Sequence, residues 1–330
     1  MHHLYYDKIT ALELKGIAIF FMVTFHLFCP NHNTYNIPDI SLSYTGVDKL
    51  LGIFCNRTVP IYIFMTGYAL AMRPPVYNDI LRKVQFLYGR IWLLSLLFIP
   101  ILLFSGKICW SYSQLLHTIV LGDGYMRVWW YASFYIMILV LFYLYKTLIP
   151  VPIRNYTSLI LVPLTVLAYY CIDDKIILPF YLNRFIKFSV YLIIGICMYE
   201  YKIFERVKTN FFISFVLVLL IFALDTLIKN DLLYRTYRII SFPLLMISFA
   251  DICNHTRIAN VCMLLGKHST NIWLIHGFFF YVAEFIYYPH YFIFVLMQFL
   301  FVSLICSHIF NLLCKYSIDK IRFNKCRKNP

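Results

Sequence analysis

The stretch ALELKGIAIFFMVTFHLF, residues 11–28, decides the fold of this chain. It is an apolar run of about the 20 residues that an α-helix needs to cross the hydrocarbon core of a bilayer. Its ionisable side chains are confined to Glu13, Lys15 and His26. Similar runs recur along the rest of the chain, so the stretch predicts the first helix of a membrane-spanning bundle.

The amino-acid composition supports the same interpretation. Hydrophobic residues make up 62% of the 330 residues and charged residues 13%, whereas soluble domains are roughly half apolar and about one-quarter charged. A soluble fold of this length would lack the polar residues that cover a surface. No small-residue cleavage site follows the first run, so we expect it to remain as an uncleaved helix. The sequence therefore predicts a single all-α membrane domain over residues 1–330.

Apolar windows predict about ten transmembrane helices. We place them at residues 11–28, 57–72, 86–106, 129–149, 156–172, 182–199, 211–228, 236–252, 271–287 and 291–313. The apolar run around 114–121 is too short to cross the membrane, so we expect it to lie at the interface or to re-enter. Asp225, near the outer end of the seventh predicted helix, is expected to be an interfacial carboxylate.

The positions of Lys and Arg predict the orientation, because basic residues are retained in cytoplasmic loops. With the N-terminus inside, the inner segments hold more Lys and Arg than the outer loops, and the basic tail 314–330 adds to this excess. Both termini are therefore predicted to be cytoplasmic, in a multi-pass protein of the cytoplasmic membrane. The net charge of +14 is spread between apolar runs. Since no nucleic-acid-binding motif accompanies it, we expect no nucleic-acid partner.

The cysteine and histidine residues show no spacing typical of a metal site. The chain has no CxxC pair and no Cys and His arrangement suited to zinc, so no metal is expected. Most cysteines lie within apolar runs, where they are predicted to be small buried residues. Cys29 and Cys55 both fall in the first predicted outer loop, where a disulfide between them is one option.

Lys15 and His26 need explanation, because a polar side chain within lipid is costly unless partners or water compensate it. They are eleven residues apart, which is about 16 Å along a helix and about three turns, so both lie on nearly the same face. In one interpretation, Lys15 reaches cytoplasmic headgroups and His26 hydrogen-bonds a neighbouring helix. In the other, His26 transfers a proton, because imidazole titrates near neutral pH. The spacing alone leaves both open.

Four stretches follow one another along the chain in a characteristic order. They are ELKGIAIFFMVTFHLF (13–28), VPIYIFMTGYAL (59–70), VWWYASFYIMILVLFY (128–143) and LGKHSTNIWLIHGFF (265–279). In the first stretch, ten residues lie between Lys15 and His26. Together the four resemble the signature segments of the acyltransferase-3 family of integral membrane O-acyltransferases. The resemblance runs from the first predicted helix to the ninth and is closest to the small members found in polysaccharide loci.

The chain departs from the family pattern at four places. Lys15 stands where Arg is more common, which keeps the charge but loses bidentate phosphate recognition. Thr66 replaces the usual Ser. Many members have an Arg-x-x-Arg pair before the third helix, where this chain has Leu87 in the first position and Arg90 in the second. The aromatic helix lacks the Glu that many relatives carry, so no carboxylate partner for His26 is identified.

The resemblance implies a cytoplasmic acyl-CoA donor, acetyl-CoA in particular, and a hydroxyl of an extracytoplasmic or lipid-linked polysaccharide as acceptor. Coenzyme A carries several negative phosphates, which a cluster of cations would hold by charge-assisted hydrogen bonds. The predicted cofactor-binding residues are Lys15, Arg73, Arg82, Lys83 and Arg90. For Arg73, Arg82 and Lys83, ordinary cytoplasmic charge is an equal alternative.

His26 is the predicted catalytic residue, as general base on the sugar hydroxyl or as transient acyl carrier. The predicted supporting residues are Tyr68, Ser269 and Asn271 as oxyanion donors, together with His276 and Glu284. For His276, helix packing is the alternative, and for Glu284 an ion pair. The predicted acceptor-binding residues are Arg127, Trp129 and Trp130. For Arg127 the alternative is anchoring at the interface.

Two other functions compete with acyl transfer. A transporter or flippase of a lipid-linked sugar would more often show related halves or helices broken near the midplane. A glycan polymerase would be expected to carry a long outer loop rich in Arg and His. Neither feature is evident in the sequence, so acyl transfer is the main hypothesis and the flippase is the alternative. The expected partners are acyl-CoA, a glycan and membrane lipids, and the oligomeric state is open, a dimer included.

Overall fold

The apolar runs fold into α-helices that pack side by side. The structure is a computed structural model that describes residues 2–28, 47–171, 180–282 and 291–328. Within these residues, strand structure is limited to a two-residue antiparallel pairing of β1 (His2–His3) with β2 (Lys208–Thr209). The predicted all-α class is therefore confirmed.

Thirteen helices follow along the described chain, with a 3₁₀ turn at Arg127–Trp130. They are α1 (Lys8–Phe28), α2 (Val47–Cys55), α3 (Thr58–Met72), α4 (Tyr77–Phe104), α5 (Tyr112–Val120), α6 (Tyr131–Leu148), α7 (Val151–Cys171), α8 (Phe180–Glu200), α9 (Ile203–Arg206), α10 (Phe211–Leu227), α11 (Asp231–His255), α12 (Ile258–Val282) and α13 (Phe292–Lys328). The last helix continues through most of the basic tail 314–330. The end of the ninth predicted helix, 283–287, lies outside the described residues.

Seven of the described helical segments are long and apolar enough to cross a membrane. They span Lys8–Phe28, Leu50–Met72, Tyr77–Phe104, Arg127–Leu148, Phe180–Glu200, Asp231–His255 and Phe292–Lys315. Shorter apolar helices lie at Leu161–Cys171 and Phe211–Leu227. The chain is therefore a multi-pass membrane protein. The count of about ten spans, the single domain over 1–330 and the orientation stay predictions.

Two helices begin much earlier than the apolar windows predict, and others differ by five residues or fewer. α4 begins at Tyr77 instead of residue 86, and α12 begins at Ile258 instead of residue 271. Both extensions carry polar residues, which lower the average over a hydropathy window. In α4, Asp79 lies in the first turn, where it favours the helix dipole, and its carboxylate pairs with Arg82 at 2.8 Å. Residues 82 and 83 are therefore helical and do not lie in a loop.

The second span is broken between α2 and α3. Pro60 has no N–H, so the carbonyl of Asn56 has no helical donor four residues on. The guanidinium of Arg238 on α11 donates to this carbonyl instead, at 2.8 Å. The Thr58 hydroxyl donates to the carbonyl of Ala18 at 3.3 Å, so the break lies level with the middle of α1.

Arg57 lies in this break and points into the bundle. Its Nη2 donates to both carboxylate oxygens of Asp225 on α10, at 2.6 and 2.7 Å. The two side chains are 1% and 0% exposed. The prediction that Asp225 is an interfacial carboxylate is therefore wrong. Hydropathy misplaced it because its partner lies far away in the sequence.

α1 packs closely along α12 and runs in the same direction. A Cβ atom on Gly16 would lie 1.9 Å from the carbonyl oxygen of Cys262, and one on Gly266 would lie 1.9 Å from that of Leu12. Only glycine allows this approach of two backbones. The contact fixes the relative height of α1 and α12, and hence of the polar residues that each helix carries.

Candidate functional site

The contact between α1 and α12 brings two histidines together. The ring centroids of His26 on α1 and His276 on α12 are 5.0 Å apart, with the ring planes at 43°. Phe25 lies edge-on to His26, with centroids 5.6 Å apart. His276 is fully buried and His26 is partly exposed. The sequence predicts a role for each residue, and the structure adds that they form a pair.

The orientation of the His276 ring follows from one hydrogen bond. Its Nδ1 lies 2.5 Å from the carbonyl oxygen of Trp273. A carbonyl only accepts, so Nδ1 carries the hydrogen, and in the neutral ring the lone pair is on Nε2. Trp273, one turn before His276 on α12, thus orients the His276 ring. The Nε2 atom of that ring can accept a hydrogen, and the ring lies beside His26.

The 3₁₀ turn Arg127–Trp130 packs against α12 at the same level. The indole nitrogen of Trp129 donates to the carbonyl of Leu274 at 2.9 Å, and that of Trp273 donates to the carbonyl of Val128 at 3.2 Å. A Cβ atom on Gly277 would lie 2.9 Å from the side chain of Val128. Trp129 is 0% exposed. It therefore holds the turn on α12, and the predicted contact of Trp129 with acceptor stays a prediction.

Trp130, the next residue of this turn, lines an open cleft of about 490 Å³. The guanidinium of Arg184 lies 5.1 Å from the Trp130 ring and 5.2 Å from the Phe180 ring. The cleft is bounded by α5, the turn and the start of α8, through Gln114, His117, Asp123, Gly124, Arg127, Trp130, Phe180 and Arg184. Arg127 and Trp130, both predicted to bind acceptor, are thus brought together. The contribution of α8 is not evident from the sequence.

The basic residues near the N-terminal half of α1 lie at the opposite end of the bundle. Lys15 is partly buried and lies close enough to Lys83 on α4 for their charges to repel. Lys83 is also near Asp79, which attracts it, and near Arg73, which repels it less strongly. Arg82 is 73% exposed and is paired with Asp79. Three of the predicted donor-binding cations therefore gather, and the fourth points towards the surface.

Arg90, the fifth predicted cation, belongs to a different network. Its Nη1 donates to the amide oxygen of Asn271 on α12 and, at 3.4 Å, to that of Asn311 on α13. The Asn271 amide nitrogen donates to Asn311 at 2.9 Å and to the carbonyl of Ser307 at 3.2 Å. The guanidinium also lies 4.0 Å from the Phe86 ring. These contacts join α4, α12 and α13. They occupy the Asn271 amide, which we predict as an oxyanion donor.

A column of aromatic residues connects the two ends. The ammonium of Lys83 lies 6.0 Å from the ring of Tyr135, which stacks on Tyr131 with centroids 6.3 Å apart. Tyr131 contacts Trp273 and Tyr62, each with centroids 6.0 Å apart. The backbone carbonyl of Trp273 in turn accepts a hydrogen bond from His276 Nδ1. The sequence indicates aromatic residues here, but not that they form a continuous line.

The remaining predicted supporting residues are distributed as follows. Ser269, 5% exposed, lies beside the hydroxyl of Tyr62. Tyr68 packs against Tyr6, with ring centroids 4.0 Å apart, at the end where α1 begins. Glu284 lies outside the described residues, as does Cys29 of the disulfide option. Within the described ranges, no group of three or more His, Cys, Asp or Glu residues is arranged to hold a metal ion.

A family model described as an acyltransferase domain, that of the acyltransferase-3 family, matches residues 10–312, which is nearly the whole chain. The matched range includes both histidines, the basic residues near Lys15 and the cleft. The chain matches no curated protein and no solved structure.

Proposed function

The chain belongs to the acyltransferase-3 family and is a membrane acyltransferase, and from that premise we propose that it is an O-acyltransferase of cell-surface glycans. The donor is cytoplasmic acetyl-CoA, and the acceptor is a hydroxyl of an extracytoplasmic or lipid-linked polysaccharide. The observation that supports this best is the pair of His26 and His276, 5.0 Å apart within the bundle. Lys15, on the same helix as His26, is about 16 Å away along the axis.

The donor binds at the end of the bundle that carries Lys15. The phosphates of coenzyme A accept charge-assisted hydrogen bonds from Lys15, Lys83 and Arg73, whose mutual repulsion an anion relieves. Arg82 adds charge at the surface, and Arg90 holds the wall formed by α4 and α12. The flexible thiol arm then extends along Tyr135 and Tyr131 towards the imidazoles. Only the arm and its thioester enter the bundle.

The transfer step uses His26 as a general base. The imidazole takes the proton of the sugar hydroxyl while that oxygen attacks the thioester carbonyl, and the thiol of coenzyme A leaves with the proton. Alternatively, His26 itself attacks the thioester and carries the acetyl group to the sugar. The Nε2 atom of His276 stabilises the imidazolium or the proton in transit.

The acceptor enters from the cleft that Trp130 and Arg127 line. The turn that carries them contacts α12 through Val128 and Trp129, next to His276. A sugar in the cleft therefore lies on the same side of the bundle as the imidazole pair. Donor and acceptor approach from opposite ends, as transfer of an acyl group across a membrane requires.

The test is acetyl transfer and acetyl-CoA hydrolysis by the purified protein in nanodiscs. We expect His26→Ala to reduce both rates by about 10²- to 10⁴-fold, the usual contribution of general acid–base catalysis. His308→Ala is the matched control, because His308 is exposed on α13. Full acyl chemistry in the His26→Ala protein would contradict the proposal.

A lipid-linked sugar flippase is the second candidate, since the break between α2 and α3 is a feature that transporters also show. The same nanodisc protein distinguishes the two, because a flippase neither hydrolyses acetyl-CoA nor modifies the sugar. Movement of a lipid-linked sugar across proteoliposomes, without any acyl chemistry, would assign the chain to transport.

A further inference from the structure

The cleft beside Trp130 is lined by the guanidinium of Arg127. Arg127 is exposed and forms no hydrogen bond or ion pair with the described residues. Asp123 lines the same cleft: the Tyr181 hydroxyl donates to its Oδ2 at 2.6 Å, while its Oδ1 has no hydrogen-bond partner among the described residues and lies 4.0 Å from His117 Nδ1. With Arg127 and Arg184, the cleft still has one more cation than carboxylates. The charge of Arg127 therefore faces the cleft, where it attracts an anion.

A second arginine in the cleft is held in a fixed orientation. The guanidinium of Arg184 lies over the rings of Trp130 and Phe180, at 5.1 and 5.2 Å from their centroids. Such stacking fixes the plane of the guanidinium, whose donor fork suits a carboxylate or phosphate. Arg127 and Arg184 thus present donors to the same space from two different elements, the turn and α8.

The other lining groups suit a sugar. The amide side chains of Gln114 and Asn183 offer both donors and acceptors to hydroxyl groups. The aromatic ring of Trp130, which lines the cleft, adds apolar surface that suits the apolar side of a sugar ring. The smaller adjoining cleft, about 290 Å³, extends the site along α8 to Lys187. The two parts together have room for more than one sugar residue.

We propose that the acceptor glycan carries an anionic group, a carboxylate or a phosphate, and that Arg127 and Arg184 bind it in this cleft. The inference rests on the proposed function for the identity of the bound sugar as acceptor. It adds the chemical class of that acceptor, and it assigns Arg184 and Asn183 on α8 to acceptor binding. A neighbouring hydroxyl of the same glycan is then placed towards α12 and its imidazole.

Binding tests the inference without any turnover. In nanodiscs of phosphatidylcholine, we expect a hexuronate disaccharide and a hexose phosphate to bind more tightly than the matching neutral disaccharide. Arg127→Gln should weaken binding of the anionic probes by about 10- to 100-fold, the range of a lost charge-assisted hydrogen bond, and leave the neutral probe unchanged. Trp130→Ala should weaken all three.

Arg235→Gln is the control, because Arg235 pairs with Asp231 on α11, at 2.8 Å and away from the cleft. Equal binding of charged and neutral saccharides, or a preference that Arg127→Gln leaves undiminished, would overturn the inference. So would nanodiscs containing phosphatidylglycerol in which the lipid displaces the anionic saccharides, since the cleft would then be a lipid site.

Acetyl-CoA hydrolysis separates this inference from the proposed function. Hydrolysis that depends on His26, combined with no preference for anionic saccharides, contradicts the acceptor class and retains the acyltransferase mechanism. Absence of acyl chemistry in the wild-type protein contradicts the mechanism itself, whatever the saccharides do.

Discussion

At the scale of single residues, the local motifs of the sequence were informative and the long-range partners were not. Lys15 and His26 are predictable because a fixed spacing on one helix places them on one face. The pairing of His26 with His276 depends on two helices that are far apart in the chain, so no local pattern indicates it. The same limit explains why the sequence predicts Asp225 at the interface, since its partner Arg57 is far away in the chain. It also explains why the network of Arg90 is not predicted.

Lys15 gives the first residue-level prediction. Lys15→Ala should raise the KM for acetyl-CoA, because the phosphates lose one charge-assisted hydrogen bond, worth about 1.5–3 kcal/mol. Lys15→Arg should be tolerated, since the charge is kept. The measurement is the initial rate at varied acetyl-CoA, with His26 unchanged. An unaltered KM in the Ala protein would remove Lys15 from the donor site.

The ion pair of Arg57 and Asp225 gives the second. Asp225→Ala leaves a guanidinium buried without its partner, which should cost about 3–5 kcal/mol. Replacing both residues, as Arg57→Met with Asp225→Leu, should recover most of the loss, because no uncompensated charge is left. Thermal melting in detergent of the wild type, Arg57→Met, Asp225→Leu and the double variant forms a double-mutant cycle, with Asp225→Ala measured beside it. Equal melting temperatures for the wild type and Asp225→Ala would exclude a stabilising pair.

At the scale of helices, apolar runs predict which helices exist. Polar residues near the start of a helix make its first residue hard to predict. The start of α12 at Ile258 is missed because the polar run GKHSTN, residues 266–271, follows the apolar residues of its first half. In the structure, polar side chains of this half bond to α13: His268 Nδ1 lies 2.8 Å from the hydroxyl of Ser307, and Asn271 donates to Asn311. A hydropathy window averages over single positions and takes no account of such partners.

The contact between α1 and α12 gives the element-level prediction. In Gly16→Ala, the new Cβ would meet the Cys262 carbonyl, so the helices must separate, at a cost of about 1–3 kcal/mol. The distance between His26 and His276 should grow and acetyl transfer should fall. Gly89→Ala is the control, because a Cβ there has nothing within 4 Å. Transfer rates and melting temperatures that match the wild type in Gly16→Ala would show that the helices do not need this approach.

At the scale of the whole molecule, composition determines the class of protein, and four short stretches in order predict the family. Both outcomes are confirmed, by the helical fold and by the match over residues 10–312. The sequence predicts the cleft only in part. Arg127 and Trp130 come from one stretch, but Arg184 comes from a helix about fifty residues later in the chain. Sites formed by several helices need the arrangement of those helices.

The orientation is the whole-molecule prediction. Cys109 is exposed just after α4, at the end that we predict to be extracytoplasmic. In a protein with Cys109 as its single cysteine, an impermeant maleimide should label intact cells. A single cysteine placed by Asn78→Cys, at the exposed start of α4, should be labelled only after lysis. The reverse pattern would invert the topology and with it the sides of donor and acceptor.

The turn Arg127–Trp130 contacts α12 on one side and lines the cleft on the other. Val128 and Trp129 are fixed against α12 next to His276, so substitutions there disturb the reacting groups as well as the cleft. The wall contributed by α8 meets the turn at Trp130, over which the Arg184 guanidinium lies. Among descendants of this chain, changes in glycan preference are therefore expected to accumulate on α8, at Asn183, Arg184 and Lys187, while the turn stays the same.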